Sequence, residues 1–383
     1  MGYENKFYSQ HKSLTFDDVL IQPTEISHVE SRLSVDLSSK LTKNIKIKTP
    51  ILASPMDRVV NLDVALIMDS AGASACFHRF QDASYQLEEV KSFARRHIDP
   101  SLWNNKTPVI AAVSAQLEDQ KELKRIEFLS EFCQVLVIDT AMGTNIKVLR
   151  AIEHIKKTYP HLDIIAGNVV TPEGCMTLIN AGADGIRTGI GNGSGCLTRI
   201  QTGVGRGQLS TIIECSDVCK KYGVSLISDG GHYKPGDVAK AIAAGADIVM
   251  MGSPLAGHNE SPGTVYYKYK GHFFKADDLI FVEGVGQKRA ADIAELEQYK
   301  QYRGMASKEA QEEWKGSLKA GTTYEGIQKH FKIKGPLIDT INNYIGGLRS
   351  SLSYCNSTNI EEFQKNAKFE KLSLGALRES YER

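Results

Sequence analysis

The chain has 383 residues, 46 Lys and Arg against 45 Asp and Glu, and a formal net charge of +1. So neutral a balance excludes the electrostatic footprint of a dedicated nucleic-acid binder, and no apolar run approaches the roughly 20 residues that span a bilayer. With 42% hydrophobic and 24% charged residues, the composition fits two or three average globular domains or one α/β barrel of about 250 residues with insertions.

Residues 1–6 (MGYENK) lack the apolar stretch a signal peptide requires. Gly2 raises myristoylation, but Lys6 stands where that signal wants Ser or Thr. A cytoplasmic protein is expected. Short apolar runs then recur at 50–53 (PILA), 73–77 (ASACF), 108–113 (PVIAAV) and 135–139 (VLVID). They continue at 163–167 (DIIAG), 184–188 (DGIRT), 225–229 (SLISD) and 247–251 (DIVMM). Near-continuous hydrophobic runs of this length read as strands covered on both faces.

Helical spacing fills the intervals at 84–96, 120–132, 145–159, 171–181, 211–222 and 234–244. Pro172 and Pro235 suit a first helical turn, and Gly182 and Gly245 suit left-handed helix ends. Tyr266, Tyr267 and Tyr269 mark a hairpin strand. Eight β/α units predict a closed parallel TIM (β/α)8 barrel as a single catalytic domain. The alternative, an open doubly wound sheet, would need a topological switch point.

A barrel of this kind carries its chemistry just beyond the strand C-termini. There lie 54–57 (SPMD), His78, Arg79, Ser114, Asp139, Asn168, Asp229–231 (DGG), Gly252 and Ser253. The plainer reading of such residues is tight-turn chemistry, or, for His78 and Arg79, closure of the barrel mouth. The longest glycine-rich stretch, 189–207, bars regular structure and lets backbone amides approach a phosphate. It is not a P-loop, since no Gly-Lys-Ser/Thr follows.

Seven scattered cysteines argue against a disulfide framework, and Cys215 with Cys219 lacks a second pair to complete a zinc site. Cys76, Cys133, Cys175, Cys215 and Cys219 fall in strand or helix patterns and read as core. Cys196 alone sits in the glycine loop, where amide dipoles favour the thiolate and a nucleophile. Asp229 suits ribose hydroxyls, and the glycines after strands seven and eight suit phosphate.

At this point 14–20 (LTFDDVL), 54–57 (SPMD), 167–170 (GNVV), 189–205, 228–231 (SDGG), 235–239 (PGDVA) and 250–253 (MMGS) resemble the IMP dehydrogenase/GMP reductase family. The resemblance implies a TIM barrel, usually a homotetramer, acting on a purine nucleotide monophosphate (GMP or IMP) with a nicotinamide cofactor. A dehydrogenase usually carries a CBS pair after the second strand, and 77–80 (FHRF) leaves no room for one. It also activates water with an Arg-Tyr pair on a mobile flap, which 304–335 lacks. Segments 208–217, 255–261 and 345–350 look like GMP reductase; 138–143 and 302–305 look like a dehydrogenase.

The resemblance thus implies a GMP reductase that consumes NADPH and releases IMP and ammonia. The alternatives are a CBS-less IMP dehydrogenase using NAD, and a regulatory nucleotide-binding barrel without catalysis. By the same resemblance Cys196 attacks purine C2, with Thr198 and Glu325 moving protons. Ser194, Gly230, Gly231, Gly252 and Ser253 would hold phosphate, Asp229 the ribose, and Met305, Ala306 and Gly326 the base. Asp139 and Asn168 would line the site near the nicotinamide or the C2 face, Ser114 would meet the cofactor, and backbone of Gly191, Gly193 and Cys196 would meet potassium. The expected layout is a barrel over 1–350, with an insertion at about 272–297 and a flap at 304–335. The charged tail 351–383 would pack or contact a subunit.

Overall fold

A computed structural model describes residues 12–96, 107–316 and 321–381. The reading of residues 1–6 lies outside them. Eight parallel strands close into a barrel: β1 (Ile51–Ala53), β2 (Ser74–Phe77), β3 (Ile110–Val113), β4 (Val135–Asp139), β5 (Asp163–Val169), β6 (Gly185–Thr188), β7 (Ser225–Asp229) and β8 (Ile248–Met251). Closure comes where β8 returns beside β1, Val249 opposite Ile51 and Met250 opposite Leu52. The TIM barrel expected from the eight apolar runs is the observed fold.

The runs are apolar on both sides because the strands bury both faces. Leu52, Cys76, Ile110, Val135, Val137, Ile165, Ile227 and Ile248 point inward to fill the barrel. The alternate residues, such as Ile51, Phe77, Leu136, Ile164 and Leu226, pack under the helices. Leu41 and Ile47, from a two-stranded ribbon, plug the far end.

The helices are α1 (Leu62–Ser70), α2 (Ala83–Arg96), α3 (Gln120–Ser130), α4 (Ile146–Thr158), α5 (Pro172–Ala181), α6 (Gln208–Tyr222), α7 (Pro235–Ala243) and α8 (Leu337–Tyr354). Pro172 and Pro235 open α5 and α7, and Gly182, at φ 105°, caps α5 in the left-handed region. Two helices were not legible in advance. α1 (LDVALIMDS) is apolar around most of its surface and so shows no amphipathic stripe; the Asn61 side chain starts it by accepting from Val64 N at 2.9 Å. α8 is separated from its strand by the whole stretch between Met251 and Leu337.

That stretch builds a lobe over the barrel mouth. Val265–Tyr269 forms the expected hairpin with His272–Lys275, and Glu297–Arg303 and Gln328–Lys332 complete a four-stranded antiparallel sheet. A second hairpin, Leu279–Val282 with Gly286–Arg289, fills most of the expected insertion. Residue 350 falls inside α8. Beyond α8, Ile360–Asn366 packs on α7, and Lys368–Lys371 pairs antiparallel with Val19–Gln22, tying the tail to the N-terminal segment.

Only a short loop joins β2 to α2, so no CBS pair is inserted there. Among the described residues no helix is long and apolar enough to cross a membrane. Cys76, Cys133, Cys175, Cys215 and Cys219 are all buried, as expected for core thiols. Burial pushes the Cys133 thiol up, and the neighbouring thiols of Cys215 and Cys219, then burial, do the same for Cys175.

Candidate active site

The cysteine loop leaves β6 at Thr188 and returns to helix at Thr198–Thr202. Position 189 takes glycine because its φ is 130° and a Cβ there would fall 2.4 Å from the Asp229 carbonyl oxygen. Three segments distant in sequence are then laced by backbone hydrogen bonds. Ile327 N donates to Gly195 O at 3.0 Å, Gly304 N to Ile327 O at 3.0 Å, and Glu325 N to Ala306 O at 3.0 Å. Leu197 N donates to Glu325 O at 2.6 Å, and Cys196 faces Gly326 as an isolated antiparallel bridge.

This lacing fixes a side-chain relay. Cys196 Sγ donates to Thr198 Oγ1 at 3.2 Å, and Thr198 Oγ1 donates to Glu325 Oε2 at 2.7 Å. The thiol, the hydroxyl and the carboxyl group therefore form one hydrogen-bonded chain. Cys196 is only part-buried, unlike every other cysteine in the chain.

The relay opens into a cavity of about 770 Å³ at the C-terminal face of the barrel, the size of a ligand site. Of the barrel-mouth residues singled out from sequence, Asp57 and His78 do not line it; every residue given a catalytic, substrate, cofactor or cation role does. Ser194, Asp229, Gly230 and Gly231 stand on one wall, and Gly252 and Ser253 follow at the end of β8. Met305, Ala306 and Gly326 come from the lobe and flap, and Ser114, Asp139 and Asn168 from β3, β4 and β5. Gly191 and Gly193 share the loop with Cys196, and Gly193 O accepts from Cys196 N at 3.0 Å.

A buried arginine organises the floor. Arg187 is 5% exposed; its Nη1 donates to Asp139 Oδ1 at 3.2 Å and its Nη2 to Asp229 Oδ2 at 2.9 Å. Burial pulls its pKa down, but Asp229 and Asp139 more than offset this and leave it above the ordinary arginine value. Asn168 Nδ2 donates to Asp229 Oδ2 at 2.9 Å and to Gly189 O at 2.7 Å, while its buried Oδ1 has no partner among the described residues. An unpartnered acceptor in the lining that Asp139 and Ser114 share fits the carboxamide NH2 of a nicotinamide, so the residues present suit the group.

Arg187 was missed because it lies inside an apolar strand run. The signal was there: an arginine in a barrel strand is too costly to bury without carboxylates. Tyr302 was also given no role, yet it is 3% exposed, lines the cavity, and stacks on Phe331 at 5.2 Å. Burial pushes its hydroxyl up to about 12. Its neighbour Arg303 donates to Asp57 through Nε at 2.9 Å and pairs with Glu313 at 2.6 Å. This clamps the flap helix Lys308–Lys315 to the 54–57 turn.

The histidines at the mouth are neutral fillers. Burial depresses His78 to about 4 and His232 to about 4. His232 meets Ser228 Oγ at 2.9 Å and the Phe16 ring at 5.3 Å. Arg79 reaches into the cavity and pairs with Asp139 at 3.4 Å, more than closing the barrel mouth.

Known proteins share this chain's sequence along nearly its whole length. A family model described as IMP dehydrogenase / GMP reductase domain matches residues 13–382. The inosine-5'-monophosphate dehydrogenase of Cryptosporidium parvum is 34% identical, over 97% of this chain and 94% of its own. That of Borreliella burgdorferi is 33% identical, over 97% and 96%. The GMP reductase of Enterobacter sp. (strain 638) is 35% identical, over 93% and 94%. The chain belongs to the IMP dehydrogenase/GMP reductase family, a family of oxidoreductases that bind purine nucleotide monophosphates and use a nicotinamide cofactor.

Proposed function

We propose that the protein is a GMP reductase, converting GMP to IMP and ammonia. The observation that carries this reading is the Cys196–Thr198–Glu325 relay, at 3.2 and 2.7 Å, set in a flap whose residues 304–335 contain no arginine. A dehydrogenase must activate water on its flap, whereas a reductase must move protons to a departing amine.

The relay suits that task in both directions. The Cys196 proton passes to Thr198, whose own proton passes to Glu325, and the thiolate bonds to purine C2. Glu325 then returns its proton through Thr198 to the 2-amino nitrogen, the C2–N bond breaks, and ammonia leaves. Without that proton the leaving group would be an amide anion. A reduced nicotinamide, NADPH by the resemblance to reductases, supplies a hydride equivalent when bound. With the hydride at C2, the C2–S bond breaks, a proton restores the Cys196 thiol, and IMP is released.

Asp229, held by Arg187 and Asn168, would accept from ribose hydroxyls. The turns at 230–231 and 252–253, with Ser194 and Ser253, would donate to phosphate. Backbone of Met305, Ala306 and Gly326 would meet the base. Potassium at Gly191, Gly193 and Cys196, a homotetramer and a cytoplasmic location complete the reading.

A second reading, IMP dehydrogenase, draws on 302–305 (YRGM) and on the dehydrogenases among the relatives. Nicotinamide absorbance separates the two. With GMP and reduced cofactor, loss of absorbance with ammonia release is expected. A rise with IMP, NAD and potassium, and none of the first reaction, would make the protein a dehydrogenase.

A further inference from the structure

The flap helix Lys308–Lys315 starts two residues beyond Ala306. Ser307, fully buried, caps it: its Oγ accepts from Ala310 N at 3.2 Å and its carbonyl from Gln311 N at 3.0 Å. Ser307 also forms an isolated parallel bridge with Gly326, the residue that faces Cys196 on its other side. A Cβ at Gly326 would fall 2.6 Å from Ser307 N, so the two backbones are in direct contact. The first turn of the helix is thereby held in a fixed position relative to Cys196.

Three residues of this helix line the cavity: Ala310, Gln311 and Trp314. Gln311 is part-buried, and its Nε2 donates to Ala306 O at 3.5 Å, the long end of the bonding range. That carbonyl already accepts from Glu325 N at 3.0 Å. Gln311 Oε1 has no partner among the described residues. One amide hydrogen and one carbonyl oxygen of Gln311 therefore remain for a ligand. No other flap side chain in the lining offers that pair. Glu325 is engaged with Thr198 at 2.7 Å, Trp314 can only donate, and Met305 and Ala306 offer neither.

On the reductase reading, purine C2 lies at Cys196 and the ribose at Asp229. C2 is flanked by N3, on the ribose side, and by N1, beside C6 and its oxygen. The N1–C6 edge is thus the one turned away from Asp229. In a 6-oxopurine that edge is a lactam, whose N1–H donates and whose O6 accepts. A carboxamide is its complement.

We propose that Gln311 reads this edge, Nε2 donating to O6 and Oε1 accepting from N1–H, and so favours 6-oxopurine nucleotides over those that lack the oxygen. The proposal rests on the placement of C2 and ribose given above and adds a side chain to the backbone contacts expected from Met305, Ala306 and Gly326.

Isothermal titration of the Cys196→Ala protein, in which no turnover intervenes, tests it with three ligands: GMP, IMP and 2-aminopurine ribonucleoside 5'-monophosphate. The last lacks O6 and the N1 hydrogen, so it can make at most one bond to the amide. Gln311→Met keeps the side-chain length and the helix propensity. It should weaken GMP and IMP about tenfold each, the loss of two hydrogen bonds, and the 2-aminopurine nucleotide about threefold or less. Gln311→Glu keeps the shape and removes the donor, and should weaken GMP and IMP by a similar factor. Unchanged binding of GMP and IMP in both variants, or equal weakening of all three ligands, overturns the proposal. Binding of IMP without GMP overturns the reductase reading and leaves the IMP titrations to decide on Gln311. Binding of neither overturns both.

Discussion

Replacing Glu325 by Gln tests the relay with little disturbance to its surroundings. The backbone N and O of Glu325 hold Ala306 and Leu197 at 3.0 and 2.6 Å, and both bonds survive the substitution. The side chain keeps its length and still accepts from Thr198, whose hydroxyl lies 2.7 Å away. What disappears is the capacity to take up and return a proton. General acid–base groups contribute about 10²–10⁴ in rate, so kcat should fall by that factor, roughly 3–5 kcal/mol of barrier. KM for the nucleotide should stay within about threefold, because the lost term acts at the departing amine rather than in the bound ground state. Thr198→Val removes the bridge and should cost a similar factor. Because the two act as one path, the double variant should be little worse than either alone. The assay is nicotinamide oxidation with ammonia release under saturating GMP. A kcat within about threefold of the parent in E325Q, or losses that simply multiply in the double variant, would refute the relay.

Arg187→Met leaves Asp139 and Asp229 facing each other without their shared cation. Breaking a buried pair by removing one partner costs about 3–5 kcal/mol, to be read as a large fall in thermal midpoint. An unchanged midpoint would mean that the floor of the cavity is not held by this ion pair. His78 and His232 set an acid limit: with native values of about 4 against about 6.5 unfolded, the unfolded chain binds protons first. Stability is therefore full above pH 6.5 and falls as pH drops towards 4, by up to about 3 kcal/mol for each histidine. Urea midpoints at pH 7 and pH 4.5 measure this, and His232→Gln should flatten the difference. Gly304→Ala places a methyl 2.5 Å from the Gly195 carbonyl oxygen. Overpacking of this kind costs about 1–3 kcal/mol, and here it should also lower kcat by spreading Cys196 from Glu325.

Eight apolar runs, separated by helical spacing and punctuated by Pro172, Pro235 and Gly182, sufficed to read the barrel. Each strand buries both faces and each helix one, and these are local patterns a sequence displays. Cys196 was legible for the same reason, since a glycine-rich loop cannot hide a cysteine in a core. Helix α1 escaped because its apolar surface carries no period, and Arg187 because one polar residue in a buried run looks like an exception.

The order of elements and the place of the candidate nucleophile are thus properties of the chain read along its length. Which groups surround that nucleophile is not. Thr198 and Glu325 are 127 residues apart, and Arg187 finds Asp139 and Asp229 only because β4, β6 and β7 deliver their C-terminal ends to one mouth. Likewise the pairing of Arg79 with Asp139 exists only once the barrel has closed. Hydrophobic burial follows local periodicity, but pairing of charges depends on distance in space, and that distance is fixed by tertiary structure alone.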